Sequence, residues 1–170
     1  RLMALAETEW ILYLDADMQP DDEDFLNRYL DAIEALDKPA LVAGGFSLRH
    51  AMPTDQTKLH AAQSAMSECI SASARAEAPG RYVFTSNLLE FTGWGWEDVD
   101  WGLRVAHAFE VHHIDNPATH LGLDSDQALI AKYGGSADNF IRLIERHPDE
   151  MGQSRLYRLA RTLSRLPGRA

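Results

Sequence analysis

Two acidic clusters and one late histidine hold the residue types from which chemistry could be built. The first cluster lies in "WILYLDADMQPDDEDF" (Trp10 to Phe25), where an apolar run meets six carboxylates within ten residues, Asp15 to Asp24. Asp15 and Asp17, at i and i+2, can turn to one side once the pleat of a strand is broken. Together they suit one hard cation, Mg²⁺ or Mn²⁺, which takes oxygen ligands and is commonly shared with substrate phosphates. The structural alternative is that Asp15 and Asp17 close a loop. Asp21 to Asp24 read as the acidic start of the following helix, where negative charge is favourable. A calcium loop opening at Asp15 would need Gly at its sixth position and Glu at its twelfth, where the chain has Pro20 and Leu26. A phosphatase of the haloacid dehalogenase type would need Thr or Val where Gln19 stands.

The second cluster is "FTGWGWEDVDWGLR" (Phe91 to Arg104), in which Gly and Trp alternate and give way to Glu97 and Asp98. Val99, Leu103 and Ala106 follow at helical spacing, so the acidic pair sits at a helix start. A carboxylate there can serve as a cap. The approach adds something a cap does not need: glycines that let backbone come close to a ligand, and Trp94 and Trp96 with flat faces of the kind that stack on sugars. Asp100 projects about 200° away from Asp98 at 100° per residue, toward a partner such as Arg104 at i+4.

The elements that must position these groups follow from periodicity. Trp10 to Leu14 reads as a strand buried on both faces, with Asp15 at its carboxyl end, where open α/β sheets bind ligands. Phe25, Leu26, Tyr29, Leu30, Ile33 and Leu36 mark a helix, and "ALVAGG" (Ala40 to Gly45) the next strand. Further expectations are a helix from Lys58 to Ala74, a strand at "RYVFTSNLL", a helix from Asp98 to His107 and a strand at "EVHHI", with His112 and His113 on opposite faces. Three C-terminal helices begin near Ser125, Ser136 and Ser154. The predicted fold class is α/β, a mostly parallel sheet flanked by helices with a helical tail.

Composition narrows the partners. The chain has 170 residues, 45% hydrophobic and 25% charged, which fits one folded domain with a real core. Its net charge of −10 argues against nucleic acid as the main partner, since phosphate binding needs a basic surface. The single Cys69 precludes an internal disulfide and suits a reducing compartment. With no signal peptide and no apolar run near the roughly 20 residues of a membrane span, the expected location is the cytoplasm.

"LYLDADMQP" followed by "GWGWEDVDWGLR" resembles the family-two inverting glycosyltransferases of the GT-A fold. The second motif is similar to the galactosyltransferase-type C-terminal domain of β-1,4-galactosyltransferases and chondroitin-polymerase-like enzymes. The resemblance runs from Leu2 to about His147. It implies that Asp15 contacts the donor's ribose or the metal, that Asp17 is a direct metal ligand, that Asp98 is the general base, and that Glu97 positions the acceptor. "DNPATHLG" is similar to the family's later histidine segment and makes His120 the second metal ligand, against a structural role as a hydrogen-bonded loop histidine. Trp94, Trp96 and Asn87, the last in "FTSNLL" with Ser86, would face donor or acceptor sugars. The implied cofactor is Mn²⁺ or Mg²⁺, the donor a UDP-linked or other nucleotide sugar, and the acceptor a glycan or lipid-linked saccharide, as in bacterial polysaccharide synthesis.

The chain departs from the family in two places. It opens partway into the fold, without the βα units that hold uracil and ribose, so this segment alone is expected to be inactive; the link between "TSNLL" and "GWGWED" is also short. Residues 1–150 are accordingly read as a GT-A domain lacking its nucleotide-binding half, and 151–170 as a basic amphipathic helix. Arg155, Arg158, Arg161 and Arg165 are interleaved there with Leu156, Leu159, Leu163 and Leu166, a pattern suited to an anionic membrane or to the chain's own acidic surface. The competing classes are a catalytically silent carbohydrate-binding or scaffold domain of the same fold, and a metal-dependent phosphohydrolase or nucleotidyltransferase with no use for the Gly-Trp loop. One geometric expectation is sharp: ligands sharing an octahedral ion at about 2.0–2.1 Å stand at most about 4.2 Å apart, so Asp17 and His120 should converge to within about 6 Å.

Overall fold

A computed structural model describes residues 5–83, 91 and 93–165. The fold is mixed α/β. Its strands are β1 (Met18–Pro20), β2 (Ala40–Ala43), β3 (Phe46–Ser47), β4 (Glu110–His113) and β5 (Ala118–His120). Its helices are α1 (Phe25–Glu34), α2 (Lys58–Ser67), α3 (Ala72–Ala76), α4 (Glu97–Ala108), α5 (Asp126–Gly135), α6 (Ala137–Arg146), α7 (Pro148–Gly152) and α8 (Arg155–Leu163), with a 3₁₀ turn at Pro79–Tyr82.

β2 pairs in parallel with β4, and β3 in parallel with β5, while β1 joins β5 antiparallel. Backbone bonds from Ile114 to Ala43, Asn116 to Gly44 and Ala118 to Gly45 carry the parallel pairing across the gap between the two small sheets. The register changes across that gap: Ala43 faces His113, whereas Phe46 faces Ala118. The segment between β4 and β5 therefore bulges relative to that between β2 and β3, which bends the ladder. Arg75, 2% exposed, plugs this bend. Its guanidinium donates to the carbonyls of Gly44, Ile114 and Ile70 and to His113 Nδ1. Gly45, at φ +95°, leaves the space that a Cβ would take from that guanidinium.

The largest departure from the sequence reading concerns Trp10 to Leu14. These residues form no strand, and Ile11, Leu12, Tyr13 and Leu14 are 40–55% exposed. A strand needs a backbone ladder with a neighbour, and no strand pairing among the described residues includes this run. The strand lies beyond the carboxylates instead, at Met18–Pro20, so Asp15 and Asp17 precede a strand in a turn closed by Met18 N–H to Asp15 C=O. The sheets are also smaller than expected, and one of the three pairings is antiparallel.

The expected helix over 58–74 is split. Cys69 N–H folds back to Ser64 C=O, and Ser71 Oγ accepts from Ala74 N–H to start α3. Arg81 and Tyr82, read as the start of a strand, belong to the 3₁₀ turn, Val83 is buried but in no strand, and residues 84–89 of that expected strand, with Ser86 and Asn87, lie outside the described residues. Ser125 and Ser154 cap α5 and α8 as expected. The described C-terminal residues form four helices where three were expected, because Pro148 ends α6 and opens α7. Asp21 is no cap: its Oδ1 accepts from Ser47 and Thr119 hydroxyls and ties β1 to β3 and β5.

The core between α4, α6 and α7 centres on Leu103, Leu143 and Met151, with Trp96, Val99, Phe140 and Ile144 around them. Gly102 faces the backbone of Gly80, so α4 and the 3₁₀ turn meet nearly backbone to backbone. No helix among the described residues is long and apolar enough to cross a membrane.

Candidate functional site

The β1–β5 pair builds the first half of the site. Met18 faces His120 in the antiparallel register, and Leu121 N–H donates to Asp17 C=O at 2.9 Å. Asp17 Oδ2 consequently stands 3.2 Å from His120 Nε2. That separation is within the 6 Å expected of the pair, and it is also that of a hydrogen bond or ion pair between the two side chains. The pair is open to solvent, with the Asp17 side chain 51% and the His120 side chain 23% exposed.

Gly122 lines the same corner. A Cβ there would collide with Asp17 Oδ2 and lie 3.3 Å from His120 Nε2. One carboxylate oxygen and one imidazole nitrogen could supply two ligands to a divalent ion. Asp15, the other expected ligand, is exposed in the turn.

His60 was not singled out from the sequence. It is 7% exposed on α2, and its ring meets that of His120 edge-on at 5.7 Å. Asp124 N–H donates to His60 Nδ1 at 2.7 Å, which fixes the neutral tautomer with its proton on Nε2. Burial, more than any other influence, holds its pKa below the ordinary value. The only sequence signal was a histidine on the apolar side of a helix.

The second half is the start of α4. Gly93, Gly95 and Trp96 all have left-handed backbones, at φ +83°, +100° and +75°. A tryptophan there is strained, and such strain persists only when neighbours hold it. Here Asn139 Nδ2 donates to the carbonyl of Gly95, and Trp96 Nε1 donates to Ser136 Oγ at 3.3 Å. Engaged in this way, Ser136 occupies the N-cap position of α6 without a side-chain capping bond.

The two tryptophans expected to form a sugar-facing floor are separated. Trp96 packs on Phe140 at 4.7 Å as part of the core, so only Trp94 offers an open face. Trp94 is 40% exposed, edge-on to Tyr133, with Lys132 Nζ 5.5 Å from its ring centre.

Glu97 and Asp98 emerge from this loop at the first turn of α4. Glu97 is buried, and its Oε2 has no hydrogen-bond partner among the described residues. Burial pushes the Asp98 carboxyl up to about 7, and the negative charges of Glu97, Asp15 and Glu68 add to the rise. Carboxylates poised near neutrality are suited to moving protons.

Asp100 turns away as expected and is fully buried. It pairs with Arg104 Nε at 2.9 Å and also meets His147 Nε2 at 3.0 Å and Arg146 Nη1 at 3.4 Å. His112 and His113 are not ligands of the site: His112 pairs with Glu110, and His113 supports Arg75 and the carbonyl of Pro79.

No family model, curated protein or solved structure matches the chain.

Proposed function

We propose that the chain carries the catalytic corner of a metal-dependent inverting glycosyltransferase of GT-A type, moving a sugar from a nucleoside diphosphate, UDP in the first instance, to a hydroxyl of a glycan or lipid-linked saccharide. The observation that carries this reading is the approach of Asp17 to His120 at 3.2 Å; Asp98, with a carboxyl raised to about 7, is the candidate base. Asp17 and His120, with Asp15 nearby, would hold Mn²⁺ or Mg²⁺. When bound, such an ion supplies charge compensation for a departing diphosphate.

The chain's own groups do the rest. Asp98, ionised above about pH 7, accepts the proton of the acceptor hydroxyl as that oxygen bonds to the anomeric carbon. The bond from that carbon to the diphosphate oxygen breaks on the opposite face, so configuration inverts and one base suffices. Glu97 holds the acceptor side of Asp98, and Trp94 offers its face to a sugar ring. The basic helix α8, which buries none of its residues, supports contact with an anionic membrane where lipid-linked acceptors reside.

A second reading, a catalytically silent carbohydrate-binding domain, is favoured by one observation: Ile11 to Leu14 belong to no sheet, so the wall beside Asp15 is not built among the described residues. The two readings separate on Asp98→Asn in the intact protein. The transferase reading expects transfer to fall at least about 1000-fold, toward the upper range for a general base, while UDP-sugar binding is retained. Substantial residual transfer would remove Asp98 as the base. Saccharide binding with no transfer by the unsubstituted protein would favour the silent domain.

A further inference from the structure

Away from the Asp17–His120 corner, the opposite end of α4 meets the joint between α6 and α7. His107 lies in the last turn of α4, His147 at the joint itself, and Glu150 in α7. One ligand atom from each lies within 4.8 Å of the others. His107 Nε2 already stands 3.1 Å from Glu150 Oε1, and their side chains are 66% and 32% exposed, so an ion can reach them from solvent. His147, by contrast, is buried, and its Nε2 is engaged by Asp100 Oδ1 at 3.0 Å.

We propose that His107, His147 and Glu150 form a second metal site, selective for Zn²⁺ and distinct from the Asp17–His120 corner. His147 would coordinate through Nδ1, the nitrogen not used in the Asp100 bond. Its other ring nitrogen donates to a buried carboxylate, the arrangement that fixes tautomer and ring orientation in metal-bound histidines. Arg104 and Arg146 balance the charge of Asp100, so the carboxylate is held as an orienting group rather than as a competing ligand.

Two imidazoles and one carboxylate make a three-ligand zinc set with a fourth position left for water. Nitrogen donors in the majority favour Zn²⁺ over Mg²⁺ and Mn²⁺. Coordination would clamp the end of α4 to the α6–α7 joint, on the helix whose first turn bears Asp98.

The test is titration of the chain with Zn²⁺ in a non-chelating buffer, read by calorimetry and by the visible ligand-field bands of Co²⁺ as a substitute. His107→Ala and Glu150→Gln are the informative variants, because their side chains are accessible and circular dichroism can show that the fold survives. Asp17→Asn is the control for the other corner. The expected result is one equivalent of Zn²⁺ bound in the Asp17→Asn background, where the other corner is disabled, and a rise in Tm on binding. Affinity should fall at least about tenfold in both variants and remain unchanged in Asp17→Asn. The proposal is overturned if the parent chain binds no Zn²⁺, if binding survives both substitutions, or if it is lost only in Asp17→Asn.

Discussion

His120 Nε2 lies 3.2 Å from Asp17 Oδ2, although the two residues reach that corner from β5 and from the turn before β1. The antiparallel register sets the pair, and Gly122 keeps the adjoining space open. Gly122→Ala should therefore weaken Mn²⁺ binding at least about tenfold, because its methyl displaces Asp17 Oδ2, as loss of supporting geometry around a metal typically does. Mn²⁺ titration followed by electron paramagnetic resonance, with circular dichroism to check the fold, measures it.

Asp98 gives a stability signature that needs no substrate. Its folded-state pKa of about 7 lies above the ordinary 3.8, so between those values the folded chain keeps a proton that the unfolded chain has lost. Stability contributed by that proton is present at low pH and is lost as pH rises toward 7. Asp98→Asn should make the protein more stable than its parent at about pH 8, by at most on the order of 4 kcal/mol, with the two converging near pH 4. Urea unfolding at the two pH values provides the comparison.

Trp94 and Trp96 should separate stability from binding. Trp96→Ala removes a ring packed on Phe140 while keeping a Cβ in the left-handed backbone, at a cost of about 3–5 kcal/mol. Trp94→Ala should cost under about 1 kcal/mol in stability yet weaken saccharide binding by roughly tenfold, the scale of one lost aromatic contact. Thermal unfolding and saccharide titration of each variant distinguish the two roles.

The surface of α8 supplies a further test. Leu156, Leu159 and Leu163 are 44–55% exposed between Arg155, Arg158 and Arg161. Reversing those three arginines to Glu should reduce association with phosphatidylserine-containing vesicles by on the order of 100-fold, at about 1 kcal/mol per basic residue near an anionic surface. Vesicle co-sedimentation at low and high salt reads this out, and equal binding by both forms would exclude the helix as a membrane contact.

What could be read from the sequence was local chemistry. The start of α4, expected at Asp98 from apolar spacing, falls one residue earlier at Glu97, and the caps at Ser125 and Ser154 followed from hydroxyls placed before helical runs. Ser136 holds its expected N-cap position but spends its hydroxyl on Trp96 and the Tyr133 carbonyl, an engagement set by packing. The apolar run at Trp10–Leu14 has the composition of a strand, yet composition does not provide the neighbour a strand requires. Arg75 in the bend, His60 beside His120 and the cluster of His107, His147 and Glu150 were not legible for the same reason. Each is assembled from segments far apart in sequence, and no periodicity records which segments meet.

The most direct test of the central claim is calorimetric titration of UDP into the intact protein with and without Mn²⁺, for the parent, Asp17→Asn and His120→Ala. The expected result is Mn²⁺-dependent binding that falls at least about tenfold in each variant. UDP binding that ignores Mn²⁺, or that is equal in all three proteins, would contradict the assignment of this corner as the donor's metal site.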